Sequence, residues 1–122
     1  METVSTEARS EAIKSFQSTI SKCENALAQM MQKGSNTSLL EKRLNALKIG
    51  LALLENAWYQ KPHHHSSEEL AEARKVLSGL LPSIENSYAK SNPGSPQRTL
   101  LERRLKSLDF AIQALDDYLC VK

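Results

Sequence analysis

The chain has 122 residues, of which 40% are apolar and 25% charged, and its formal net charge is +2. This length suits one domain over residues 1–122 that buries a core without disulfides or metals. The small net charge does not indicate a nucleic-acid-binding protein, so an electrostatic role must come from how charge is distributed. No apolar run approaches the ~18–20 residues that span a bilayer. The start of the chain is polar and acidic, unlike a signal peptide, and we expect a cytoplasmic protein without a membrane partner.

Apolar residues recur at alternating steps of three and four in four stretches, which predicts four amphipathic helices. In chain order these stretches contain Ile13, Phe16, Ile20, Cys23, Leu27 and Met30; Leu40, Leu44, Leu47, Leu51, Leu54 and Trp58; Leu70, Ala73, Leu77, Leu81, Ile84 and Tyr88; and Leu101, Leu105, Leu108, Ile112, Leu115 and Leu119. Further apolar residues beside each seam, such as Leu39, predict a stripe broad enough for a globular core.

Turn and capping residues separate the four helices. Gly34 is a predicted C′ residue after helix 1. Ser66-x-x-Glu69 has the spacing of a capping box for helix 3. Helices 2 and 4 each have competing starts: Ser38 and Thr99 have capping-box spacing with the glutamates three residues later, whereas Ser95 could cap a helix that begins at Pro96. Pro82 predicts a kink in helix 3, because proline removes a helical hydrogen bond.

The two halves of the chain resemble each other. An offset of 61 positions, the distance from Leu39 to Leu100, aligns them without a gap and matches 39–44 with 100–105. This agreement indicates an internal repeat of two helical hairpins, about 5–61 and 66–122. The middle loop of about seven residues reaches at most ~25 Å, shorter than a ~36 Å helix. We therefore predict an all-α, antiparallel, up-down-up-down four-helix bundle, either a monomer or a homodimer that exchanges hairpins.

That topology collects basic residues at one end of the bundle, namely Arg43, Arg98, Arg103, Arg104 and Lys42. The opposite end receives most of the acidic residues, including Glu68, Glu69 and Glu72. The basic residues lie in the first turns of helices 2 and 4, where cations oppose the helix dipole. They therefore predict a site for an anion or an acidic partner. The alternative is that Arg43 and Arg104 pair with Glu24 and Glu85 and serve the fold alone.

Other candidate sites are weaker. His63 and His65 in the middle loop are two apart and could share a metal ion, but a stable site needs further ligands, which Glu68 and Glu69 could supply. A solvated linker is the alternative. Cys23 and Cys120 have no metal-type spacing, and Cys23 is predicted to be a small core residue. No phosphate-binding loop, metalloprotease motif or nucleophile elbow is present in the sequence.

We therefore expect no enzyme activity and no cofactor. The interpretation is a non-catalytic interaction or regulatory module with a protein partner, with nucleic-acid backbone or another anion as further ligands of the basic end. The alternative is a helical bundle that binds a small molecule or a metal ion through the Pro82 region or the His63–His65 loop.

Overall fold

The computed structural model describes residues 5–120, and all regular secondary structure in that range is α-helical. The helices are α1 (Thr6–Gln32), α2 (Ser38–Tyr59), α3 (Ser67–Lys90) and α4 (Pro96–Cys120). The four predicted helices are confirmed. Within this range no helix has the length and apolar character needed to cross a bilayer.

Capping groups fix most of the helix ends. The Ser66 hydroxyl accepts a bond from the Glu69 N–H while the Glu69 carboxylate accepts one from the Ser66 N–H, which confirms the predicted capping box. Ser95 accepts a bond from the Arg98 N–H, so α4 begins at Pro96 rather than near Thr99. The capping box predicted at Ser38 is wrong. Position 37 occupies the N-cap of α2, and its hydroxyl donates to the side chain of Glu41.

The helices pack around one shared core. Each helix contacts the next along the chain, α4 also contacts α1, and α2 contacts α4. In the described part of the chain α1 and α3 make no such contacts, so α2 and α4 lie between them. The most deeply buried large side chains are Phe16, Ile49, Leu53, Leu54, Leu70, Leu77 and Leu115. At ~1.5–3 kcal/mol for each fully buried apolar side chain, these residues supply much of the driving force for folding.

Small residues complete the core where helices approach most closely. Gly50 is buried, and a Cβ atom there would lie 3.0 Å from Leu77 Cδ1 and 3.3 Å from Phe16 Cε1. The buried Ser15 and Ser107 hydroxyls of α1 and α4 meet at 3.4 Å. The predicted seams reach this core, but Leu39 was expected to broaden the apolar stripe and is instead 61% exposed. Cys23 packs against the core and is half-buried.

Helix α3 is one continuous helix that contains Pro82. Pro82 is exposed, so its ring lies on the outer side of the helix. Helical structure continues on both sides of Pro82, and continuity is compatible with a straight or a bent axis. The kink near this residue therefore stays a prediction.

Candidate functional site

The positive charges of Arg43 in α2 and Arg104 in α4 both act on Cys23 in α1. Burial raises the pKa of the Cys23 thiol, and the positive charges of Arg104 and Arg43 oppose that rise. Both guanidinium groups must therefore lie within electrostatic range of the same sulfur. Arg43 is exposed and Arg104 is half-buried. Two of the five predicted basic residues, on different helices, thus act on the same thiol.

These two arginines have no carboxylate partner among the ion pairs of residues 5–120. Glu24 pairs with Lys48 instead, at 3.4 Å, and the other pairs are Lys61–Glu55, His65–Glu69, Arg74–Asp116 and Lys106–Glu102. The sequence also allowed a purely structural role, in which Arg43 pairs with Glu24 and Arg104 pairs with Glu85. Neither ion pair is present in the described part of the chain. Neither arginine charge is therefore neutralised by an ion pair within residues 5–120.

Arg98 is held by the α3–α4 connection. Its Nη1 donates to the carbonyl oxygens of Tyr88 and Ser91 at 3.2 and 3.1 Å, and its guanidinium carbon lies 4.1 Å from the centre of the Tyr88 ring. These bonds satisfy carbonyl groups at the end of α3. Arg98 is therefore the least available of the predicted ligand-binding residues.

Lys42 and Arg103 lie in two separate grooves. A groove of about 500 Å³ between α2 and α3 is lined by Lys42, Asn45, Ala46, Glu68, Glu69, Glu72, Ala73 and Val76. A groove of about 510 Å³ between α1 and α4 is lined by Ala8, Glu11, Ala12, Thr99, Glu102, Arg103, Lys106, Ser107 and Phe110. The sequence placed Lys42 and the three glutamates of the first groove at opposite ends of the bundle, but the structure does not separate them. Lys42 and Arg103 therefore line different grooves, and one continuous site for the five basic residues stays a prediction.

The two grooves are related by the offset of 61, and each lies between one helix of the first half and one of the second. Glu11 and Ala12 of one groove match Glu72 and Ala73 of the other, and Arg103 matches Lys42. Each groove therefore has a glutamate on one helix and, at the matched positions of the other helix, a cation.

A small cavity lies where all four helices meet. It has a volume of about 30 Å³ and is lined by Phe16, Thr19, Leu47, Leu80, Ile84, Arg104, Ser107 and Leu108. Thr19 and Leu80 are matched by the offset of 61, as are Leu47 and Leu108. The cavity can hold about one water molecule and no larger ligand.

The histidine loop packs against the end of α4. The His63 ring lies 5.0 Å from the Tyr118 ring and 5.9 Å from the His65 ring, and His63 Nδ1 accepts a bond from the His65 N–H at 3.2 Å. Burial, followed by the charges of the other two histidines, lowers the pKa of His63. In the described part of the chain no group of three or more His, Cys, Asp or Glu side chains is arranged to hold a metal ion. With its Nδ1 engaged in the loop, His63 could offer a metal only Nε2.

Two exposed apolar residues were not predicted as functional. Met31 is 66% exposed and Leu39 is 61% exposed, on either side of the α1–α2 connection. Both lie one position off the predicted seams, but so does the buried Leu53, so the spacing alone did not reveal their exposure. The Cys120 side chain lies outside the part that the structure describes.

Comparison of the chain with known protein families, with curated proteins and with solved structures finds no match. The geometry of the described residues is therefore the basis for the function proposed below.

Proposed function

We propose that this chain is a non-catalytic interaction module that binds an acidic partner or another anion through Arg43 and Arg104. The observation that carries the proposal is that neither arginine has a carboxylate partner among the described ion pairs, and the charges of both act on the Cys23 thiol. Arginine is suited to this role because its planar guanidinium donates two parallel hydrogen bonds to one carboxylate or phosphate group. Arg103, on the same helix as Arg104, adds positive charge nearby.

The proposed arrangement of the helices supports a site shared between the two halves. We propose that α1–α2 and α3–α4 are antiparallel hairpins derived from an internal repeat and packed as a four-helix bundle. Cross-helix contacts that support antiparallel pairing within the hairpins are the Arg9–Trp58 hydrogen bond of 3.5 Å, the Lys48–Glu24 ion pair of 3.4 Å, the Arg74–Asp116 ion pair and the Arg98–Tyr88 hydrogen bond of 3.2 Å. The matched grooves and the matched lining of the central cavity support the repeat.

In this arrangement the hairpins cross each other. The N-terminal halves of α2 and α3 both line one groove, although the connection 60–66 joins the C-terminal end of α2 to the start of α3. Gly50 meets Leu77 near the middle of each helix. Helices that diverge on both sides of a central contact would produce such a groove. Arg43 and Arg104, which are matched by the offset of 61, then lie on either side of the pseudo-twofold axis that relates the hairpins.

Binding to heparin tests the proposal, with Arg43→Gln/Arg104→Gln as the variant. Both side chains lack ion-pair partners, so the variant should keep its melting temperature. Affinity should fall about tenfold, and the slope of log K against log salt should fall by roughly one for each lost contact. The matched control is Lys14→Gln/Lys75→Gln, which removes two charges from exposed positions that are also related by the offset of 61.

Equal losses in the two variants would show diffuse attraction without a site and would contradict the proposal. Unfolding of the arginine variant would show that these side chains serve the fold. Arg98 is left unchanged. Replacing it would break its bonds to Tyr88 and Ser91, so a loss of stability could not be separated from a loss of binding.

A further inference from the structure

The α1–α2 tip presents apolar and basic side chains together. We define the tip as Met31, Lys33, Leu39, Lys42 and Arg43. Met31 and Leu39, at 66% and 61%, are more exposed than Tyr59 and Tyr118, at 45% and 41%, the other large apolar residues that face solvent in residues 5–120. Scattered exposed apolar residues are common, but these two flank one short connection.

The opposite hairpin shows that such a tip is not a requirement of the fold. At the positions matched by the offset of 61, the α3–α4 connection has Asn92 in place of Met31 and a half-buried Leu100 in place of Leu39. Arg98, which the offset matches with Thr37, is bonded to the end of α3, whereas Arg103 and Arg104 match Lys42 and Arg43. The α3–α4 connection therefore lacks the two highly exposed apolar side chains of the α1–α2 tip but keeps the two matched cations.

Helical spacing places the two kinds of side chain on one face of α2. Leu39, Lys42 and Arg43 are related by steps of three and four, so they are neighbours on the helix surface. The one carboxylate in this stretch, Glu41, accepts a hydrogen bond from the Thr37 hydroxyl. No ion pair of the described residues involves Lys33, Lys42 or Arg43. The tip therefore combines two exposed apolar side chains with three cations that have no ion pair in the described range.

We propose that the α1–α2 tip docks an acidic amphipathic helix of a protein partner. An apolar side chain of that helix covers Met31 and Leu39, and its carboxylates meet Arg43 and Arg104. This inference rests on the proposed function, whose arginines it uses, and it adds the class of partner. Apolar anchors beside complementary charges are the usual way in which a helix is recognised in a groove or on a surface.

The charges around the tip favour a protein helix over an anionic membrane. The groove beside Lys42 carries Glu68, Glu69 and Glu72 on its other wall. These glutamates would repel a broad negative surface, whereas a single helix can be held by Arg43, which does not line that groove. Residues 31–43 contain no aromatic side chain on which a nucleic-acid base could stack.

The experiment measures binding of the full chain to three probes. These are a synthetic helical peptide with a leucine stripe flanked by glutamates, poly-glutamate without the stripe, and vesicles of equal parts phosphatidylglycerol and phosphatidylcholine. The variants are Met31→Ser/Leu39→Ser at the tip and Arg43→Gln/Arg104→Gln for the charges. Tyr59→Ser, at the far end of α2, is the control for loss of an exposed apolar side chain.

We expect the amphipathic peptide to bind more tightly than poly-glutamate. The tip variant should lose about tenfold in affinity for the peptide, which corresponds to covering roughly half of each side chain. It should keep its affinity for poly-glutamate, while the arginine variant weakens both and Tyr59→Ser neither. Circular dichroism should show that all variants keep their helices, since the substituted residues are exposed or unpaired.

Different results overturn the two proposals. If the peptide and poly-glutamate bind equally and the tip variant binds both like the parent chain, the tip inference fails while the proposed function stands. If the arginine variant also binds both probes like the parent chain, the proposed function fails as well. Vesicle binding that is tighter than peptide binding and is lost in the tip variant would identify a membrane surface and contradict the inference.

Discussion

Replacing Gly50 with alanine tests how closely α2 packs against α1 and α3. Alanine stabilises a helix interior by about 0.8–1 kcal/mol relative to glycine. At Gly50 the new methyl group would lie 3.0 Å from Leu77 and 3.3–3.4 Å from the Phe16 ring. Both neighbours are almost completely buried, so they have little room to move. Overpacking of this kind costs about 1–3 kcal/mol, and we expect a net loss of roughly 1 kcal/mol.

Gly79 supplies the matched control. It lies inside α3, is exposed, and would place a new methyl group in open space. Gly79→Ala should therefore show the whole helix-propensity gain, about 1 kcal/mol, which corresponds to a rise of roughly 3–5 °C in melting temperature for a domain of this size. Urea unfolding followed by circular dichroism measures both free energies. Equal stabilisation by Gly50→Ala and Gly79→Ala would refute the close approach of the three helices.

Three further predictions concern the core, the α3–α4 connection and the histidine loop. Leu108→Asp should abolish cooperative thermal unfolding, because it buries an unpaired carboxylate in the core. Arg98→Gln should lower the free energy of unfolding by about 1–2 kcal/mol in urea titrations, through lost bonds to the end of α3. The lowered pKa of His63 means that the folded chain binds fewer protons than the unfolded chain, so stability should fall as the pH drops below the ordinary value of 6.5. Unfolding measured between pH 5 and about 7.5 should show a flatter dependence for His63→Gln.

The sequence determined the local structure of this protein. Seams with steps of three and four residues predicted all four helices, because a helix that buries one stripe must repeat every 3.6 residues. Ser66 and Glu69 predicted a capping box, and Gly34 predicted a left-handed residue after α1, where its φ is 73°. These features depend on atoms within about one helical turn, so neighbouring residues are enough to specify them.

Only the tertiary structure decided which side chains remain available to a partner. Arg43 and Arg98 look alike in the sequence, yet Arg98 is bonded across its connection whereas Arg43 has no ion-pair partner in the described range. Leu39 resembles a core residue but faces solvent, while Gly50 lies in the core. These outcomes depend on how helices that are distant in the chain cross each other. Small residues permit a close crossing, but the spacing of large apolar residues does not specify where it occurs. The packing of the hairpins therefore determines that the tip is exposed and that Arg43 and Arg104 have no ion pair among the described residues. The residue types within one helix do not specify which residues of another helix lie opposite them.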